Sequence, residues 1–205
     1  GVNSGSLSKD MIDKYGGVNV DSLVYSALKE VESLEKLGFF NIKVSIKSSD
    51  VMTMIRANEK FSKLSDYPLH LGVTEAGPLL HSAVKSSLGL GSLLSQGIGD
   101  TIRVSLTGDP VEEVRLGRQI LRSLDLLPGG IDLVSCPSCS RTKINLFEIV
   151  DQVEKRLEGM DKNVTVAIMG CPINGPGEAR EADIGIAGFK GQGGIFKKRD
   201  ILYSL

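Results

Sequence analysis

From residue 20 to residue 125, apolar side chains recur at every third or fourth position and then at every second one. This alternation predicts helices and strands in turn. Leu23, Val24, Ala27, Leu28, Val31, Leu34 and Leu37 form one stripe, predicting a helix from about Asp21 to Leu37, with Asp21 to cap it and Gly38 to stop it. The strand IKVSIK follows. A second helix opens near Asp50 with Val51, Met54, Ile55 and Phe61 on its inner face, and the strand PLHLGVT occupies 68–74. The pattern repeats as a helix over 79–95, the strand TIRVSL at 101–106 and a helix over 110–124. Strands and helices alternating at this spacing make right-handed β-α-β units and a parallel sheet.

The strands themselves alternate. Val44, Ile46, Leu69, Leu71, Val73, Ile102 and Val104 form an apolar set that belongs beneath the helices. The opposite set is Lys43, Ser45, Lys47, His70, Gly72, Thr74, Arg103 and Ser105. A doubly wound sheet, buried on both faces, reads as continuous apolar runs. A face with two lysines, an arginine and a histidine fits instead the lumen of a (βα)8 barrel, whose active site lies at the carboxyl ends of its strands. A complete barrel takes about 250 residues. Here about 125 precede the region that carries the cysteines, and only the exit of one further strand, Gly1 to Asn3, joins the three visible ones. The chain also lacks an initiator methionine, so the expectation is a fragment, inactive alone, with further helix beyond Leu205.

Pro128, Gly129 and Gly130 interrupt the repeat and divide a barrel portion, 1–127, from a second domain, 131–205. The latter reads as strand IDLVSC, a helix from Asn145 to Glu158, and strands VTVAIMGC, ADIGIAG and GGIFKK. Leu146, Ile149, Val150, Val153 and Leu157 supply the helix's buried stripe. Composition adds little. With 24 basic and 25 acidic residues, no tryptophan and 41% apolar content, nothing favours nucleic acid or an anionic membrane as partner. No segment reads as a membrane span or secretory signal, and the basic stretch KGQGGIFKKRD reads as solvated surface.

The chemistry rests on three cysteines: Cys136 and Cys139 in CPSC, and Cys171 in CPINGPGE. They suit a reducing compartment. A CxxC pair alone could be a redox dithiol, half a zinc ribbon or two ordinary thiols. Both Cys136 and Cys171 precede proline, and Gly175 and Gly177 let the backbone approach a bulky group. Three thiolates are one short of a closed zinc site. An iron-sulfur cluster tolerates a weaker fourth ligand, and Glu178, seven residues after Cys171, is the candidate.

The stretches GVNSGSLSKD, KVSIKSSD, PLHLGVTEAG, GIGDTIRVSL, CPSCSR and MGCPINGPGEAREADIGIAG run in order through most of the chain. It resembles in them the GcpE/IspG family, the 4-hydroxy-3-methylbut-2-enyl diphosphate synthases of the methylerythritol phosphate route to isoprenoids. The resemblance implies an α/β fold: the C-terminal part of a (βα)8 TIM-type barrel, carrying the last four of its strands, then a small α+β iron-sulfur domain like the cluster unit of sulfite and nitrite reductases. It implies a [4Fe-4S] cluster on Cys136, Cys139, Cys171 and Glu178. The reaction it implies is two-electron reductive ring opening and dehydroxylation of 2-C-methyl-D-erythritol 2,4-cyclodiphosphate. Ferredoxin or flavodoxin is the implied electron donor, and the implied assembly is a head-to-tail homodimer in which one subunit's cluster caps the other's barrel. The setting would be bacterial cytoplasm or plastid stroma.

A cyclic diphosphate demands cations and neutral donors. Lys47, Arg103 and Arg141 are the cationic candidates, with Asn3, Ser6 and Asn174 as neutral ones. Asn3 and Ser6 could instead only tie down the NSGS turn, and Lys47 and Arg103 could enter internal ion pairs. Lys43 reads as structural, His70 as a satisfied core histidine and His81 as surface. Glu75, directly after its strand, is the candidate acid that protonates a leaving hydroxyl or a carbanion, or else a helix-start carboxylate balancing Lys47 or Arg103. Glu178 is the other catalytic candidate, as an exchangeable ligand. Outside that family, the alternatives are a ferredoxin-like electron-transfer module or a structural zinc module, the latter needing a fourth soft ligand that is not near.

Overall fold

Short strands and long helices follow one another through the first part of the chain. The order is β1 (Val2–Asn3), α1 (Lys9–Tyr15), α2 (Val20–Glu35), β2 (Ile46–Lys47), α3 (Val51–Ser62), β3 (His70–Leu71), α4 (Leu79–Leu94), β4 (Thr101–Ile102) and α5 (Pro110–Arg122). The structure, a computed structural model, describes residues 1–157, 159–160, 162–173, 177–178, 181–189, 192–197 and 200–204, the last five as backbone only. The chain divides into two compact units, Gly1–Leu127 and Pro128–Leu205.

In the first unit all strand pairings are parallel. β1 pairs with β2 and β3 with β4, while the bridges Val44 to Leu69 and Ser48 to Val73 join the two pairs. The regular ladders are two residues long, far shorter than the expected runs. The apolar alternation nevertheless holds: Val44, Ile46, Leu69, Leu71, Val73 and Val104 are buried, and Ile102 is half-buried. They pack against Leu23, Val24, Ala27 and Val31 of α2, Met54 and Phe61 of α3, Leu90 and Leu93 of α4, and Ile120 of α5. Truncating one of these, Phe61 for instance, costs about 3–5 kcal/mol in a core of this kind.

Local capping departs from expectation in one place. Asn19, not Asp21, caps α2: it accepts from the Ser22 N–H at 3.0 Å, while the Ser22 hydroxyl accepts from the Asn19 N–H at 2.9 Å. Asp21 instead pairs with Lys60 at 2.7 Å. Gly38 is the stop expected, left-handed at φ 76° with the Phe39 N–H reaching the Leu34 carbonyl at 3.0 Å, but the helix itself ends at Glu35, two residues short of the expected Leu37. Leu37 therefore lies beyond the helix and is 82% exposed. Helix α1 was not anticipated, because Met11 is its one buried residue and leaves no stripe to read.

The second unit holds β5 (Ile131–Ser135), α6 (Leu146–Leu157), β6 (Val164–Met169), β7 (Ile184–Phe189), β8 (Gln192–Lys197) and β9 (Asp200–Ser204) in one sheet ordered β5-β6-β7-β8-β9. β5, β6 and β7 are parallel, and β7, β8 and β9 antiparallel. Helix α6 covers one face through Leu146, Ile149, Val150, Val153 and Leu157, against Val166 and Ile168. Ala167, Met169, Ala182, Ala187 and Phe196 form a smaller cluster. The last strand, β9, was not anticipated. Among the described residues no helix is long and apolar enough to cross a membrane.

Candidate active site

Parallel register sets the polar face of the first unit in rows. Because Val44 lies opposite Leu69 and His70 opposite Thr101, the residues Ser45, His70 and Thr101 share one row. One step toward the carboxyl ends, Asn3, Lys47, Gly72 and Arg103 share the next. The missing side chain at Gly72 matters here. A Cβ built there would lie 2.8 Å from the Arg103 carbonyl oxygen, 3.5 Å from Lys47 Cε and 3.6 Å from Arg103 Cβ. Lys47 thus lies across Gly72 toward Arg103, two cations side by side. Burial, and then the charge of Arg103, hold the Lys47 ammonium below the usual lysine range. Among the described residues neither cation forms an ion pair. His70 is half-buried and shares a hydrogen bond through Nδ1 with Thr101 Oγ1 at 2.8 Å, as expected of a satisfied histidine. His81 is exposed.

At the strand exits, Glu75 is exposed and left-handed, with φ 53°; Asp125 is the other described non-glycine residue with positive φ. Such backbone costs about 1–3 kcal/mol and concentrates where a side chain must be aimed. Its carboxylate points to the NSGS turn: a Cβ built on Gly5 would stand 3.9 Å from both Glu75 Oε1 and Asn3 Oδ1. The Asn3 side chain accepts from the Gly5 N–H at 3.1 Å and the Ser6 hydroxyl donates to the Asn3 carbonyl at 3.5 Å, so both hold this turn. Glu75 balances neither cation, having no ion pair among the described residues.

In the second unit, β5 ends at Ser135 and β6 at Met169, which delivers CPSC and Cys171 to the same edge of two adjacent parallel strands. Cys136, Pro137, Cys139, Arg141, Met169, Gly170 and Cys171 line one cavity of about 120 Å³. Cys171 is buried, Cys136 half-buried and Cys139 exposed. The Gly170 N–H points at Cys136 Sγ, 3.2 Å away. Arg141 backbone and side-chain hydrogen bonds draw the Cys139 thiol below its usual range, and the same side-chain hydrogen bond to Cys139, then the charges of Cys139 and Cys171, in turn raise Arg141.

Thr142 was not picked out from the sequence. It fixes the CPSC loop, its Oγ1 accepting from the Cys139 N–H at 3.1 Å and its N–H donating to the Cys139 carbonyl at 3.0 Å. A hydroxyl three residues after a cysteine is the signal that could have found it. Glu178 is exposed, in helical backbone, and is not among the residues lining the cavity. Asn174 lies outside the described residues. Among the described residues, no three His, Cys, Asp or Glu side chains stand close enough to hold a single metal ion. The thiols surround a space instead of meeting at a point. A donor set of three soft thiols around a cavity, with an amide N–H and a guanidinium at the sulfurs, fits an iron-sulfur cluster, whose ligands stand farther apart than those about one ion bound at ~2.3 Å.

Comparison with known proteins agrees in both units. Residues 1–118 match the model of the GcpE TIM-barrel domain, and residues 132–205 that of the GcpE protein C-terminal domain. A Clostridium tetani protein is 62% identical over 205 residues, all of this chain and 59% of the relative. A Clostridium acetobutylicum protein is 59% identical over 98% of this chain and 58% of its own length, and one from Geobacter sulfurreducens 54% identical over 98% and 57%. All three are named 4-hydroxy-3-methylbut-2-en-1-yl diphosphate synthase (flavodoxin). The chain spans less than three fifths of the length of these curated relatives. With one family model over its parallel strand-helix unit and another over its cysteine-bearing sheet, the chain belongs to the GcpE family.

Proposed function

We propose that this chain carries the cluster-binding unit and part of the substrate-binding barrel of a 4-hydroxy-3-methylbut-2-enyl diphosphate synthase. The reaction is reductive opening and dehydroxylation of 2-C-methyl-D-erythritol 2,4-cyclodiphosphate. The observation that carries the reading is the convergence of Cys136, Cys139 and Cys171 on one cavity beside Arg141. Cys136, Cys139 and Cys171, with Glu178 as the fourth and more readily exchanged ligand, would hold a [4Fe-4S] cluster. When bound, the cluster supplies electrons one at a time and a Lewis-acidic iron.

The chain's own residues do the rest. Lys47 and Arg103 bind the diphosphate, and the crowding of two positive charges with no acid between them is what an anion relieves. Ring opening with loss of the hydroxyl consumes two electrons and a proton, and releases water. Glu75 delivers that proton to the departing oxygen from a strand exit. The NSGS turn presents Asn3 and Ser6 beside it, Arg141 and Asn174 contact substrate from the cysteine-bearing unit, and the Gly170 amide steadies the Cys136 sulfur. The strands of the first unit act as the last four of a (βα)8 barrel over residues 1–127, the second domain runs over 131–205, and the assembly is a head-to-tail homodimer in the bacterial cytoplasm. The relatives' names favour flavodoxin over ferredoxin as electron donor. A pure electron-transfer module leaves the cationic strand face without a role.

The test is anaerobic reconstitution with iron and sulfide. About four of each per chain, with a broad visible absorption lost in a Cys171→Ser variant, supports the reading. Stoichiometric zinc, or no metal at all, overturns it.

A further inference from the structure

The row beneath Lys47 and Arg103 holds an ionisable group for which the proposed chemistry has no role. His70 is half-buried, its Nδ1 is occupied by Thr101 Oγ1 at 2.8 Å, and its Nε2 has no partner among the described residues. Lys43 before β2, Lys47 on β2 and Arg103 just after β4 act on it, and the rest of its row is Ser45 and Thr101, with Gly1 before β1 adding no side chain. Asp100, just before β4, is occupied by the Leu69 N–H at 2.8 Å. An imidazole so placed has cations on both sides, and no acid is among the charges acting on it. Burial and those three charges keep it below the usual histidine range, so it is neutral while the face is empty.

We propose that His70 is a proton-coupled member of the anion site: when an anion docks between Lys47 and Arg103, the imidazole takes up a proton through Nε2 and becomes a third cation under the ligand. This rests on the reading of Lys47 and Arg103 as the diphosphate-binding pair. An anion within about 4–6 Å reverses the field that held the ring neutral, and an opposite charge at that range raises proton affinity about tenfold or more. Linkage makes the effect reciprocal, so the anion binds the protonated form tighter by the same factor. Thr101 serves in both states, because its hydroxyl can accept from Nδ1–H whether or not Nε2 is protonated. His70 is thus a positioning residue whose charge follows occupancy.

The chain has two histidines, and His81 is exposed on α4, so a ring-proton NMR titration resolves the pair, with a His81→Gln variant for assignment. Sulfate is the probe, since it holds no titrating proton near neutral pH, and sodium chloride at equal ionic strength is the control. The expected result is a His70 midpoint that climbs with sulfate, toward about a tenfold gain in proton affinity, but not with chloride. Lys47→Met should abolish the sulfate effect. If the Gly72 amide, between the two cations, shifts saturably with sulfate while the His70 midpoint stays put, proton coupling is wrong and the anion site stands. If neither Gly72 nor His70 responds, the reading of Lys47 and Arg103 falls as well.

Discussion

Asn58 on α3 is fully buried, and its Nδ2 donates to the Ile46 carbonyl at 3.0 Å and the Met54 carbonyl at 2.9 Å. Ile46 immediately precedes Lys47, so this amide pins the strand that aims the candidate diphosphate lysine. Both partners are acceptors, which fixes the amide's orientation and makes Asn58→Asp a sharp test: the shape is kept and a donor becomes an oxygen facing two oxygens. Losing two hydrogen bonds at about 1 kcal/mol each gives roughly 2 kcal/mol for Asn58→Ala. Adding an uncompensated buried carboxylate brings Asn58→Asp to about 3–5 kcal/mol at neutral pH. With a urea slope near 2–3 kcal/mol/M, the midpoint should fall by about 1–2.5 M. Three of the four tyrosines, Tyr15, Tyr25 and Tyr67, belong to the first unit, so tyrosine fluorescence in a Tyr203→Phe background reports it. Burial raises the folded pKa of the new carboxyl above its unfolded value, so the folded state binds more protons and the deficit must grow with rising pH. A cost under about 1 kcal/mol at pH 7, or an Asp variant as stable as the Ala variant, would refute the reasoning.

Tyr15 and Tyr25 stack with centroids 5.4 Å apart and Lys60 Nζ lies 5.0 Å from the Tyr25 centroid, so Tyr25→Ala should cost about 1 kcal/mol and lower the first thermal transition by several degrees; an unchanged Tm rules this out. The Ser8 hydrogen bond, and then Lys29, hold the Asp10 carboxyl down at about 2; the stability this adds is present above the ordinary value of 3.8 and lost as pH falls through about 2. A carbon-detected titration of Asp10 with a midpoint near 4 would contradict it. Thr142→Val removes the acceptor for the Cys139 N–H and should reduce iron incorporation on reconstitution, whereas Thr142→Ser should restore it; equal loading in both variants would show that the hydroxyl does not organise the loop.

The helices were legible because each carries a local signature. α3 is capped by Asp50 and α4 closes within a residue of its expected end, since stripe and caps are written in consecutive residues. α1 and β9 were not, the first for want of an apolar stripe, the second because an edge strand is specified by its neighbour. The α2 cap was misplaced by two residues: Asn19 and Asp21 are both plausible caps, and only the reciprocal bond to Ser22 and the pull of Lys60 on Asp21 separate them. Strand lengths were overestimated because alternation records which face a side chain occupies, not how long the ladder stays regular.

By themselves the residues determined the succession of elements, the burial of Val44, Ile46, Leu71 and Val73, and the three cysteines as the chemical centre, since all of these follow from side-chain chemistry and short spacings. Only the tertiary structure decided that Cys171 shares a cavity with Cys136 and Cys139 across thirty-one residues, and that Glu75 faces the turn at Asn3. It also decided that Lys47 meets Arg103 over Gly72 rather than an acid. Those proximities depend on which strands pair and in what register, and register is set by burial of a whole face, a long-range condition that no local run of sequence contains.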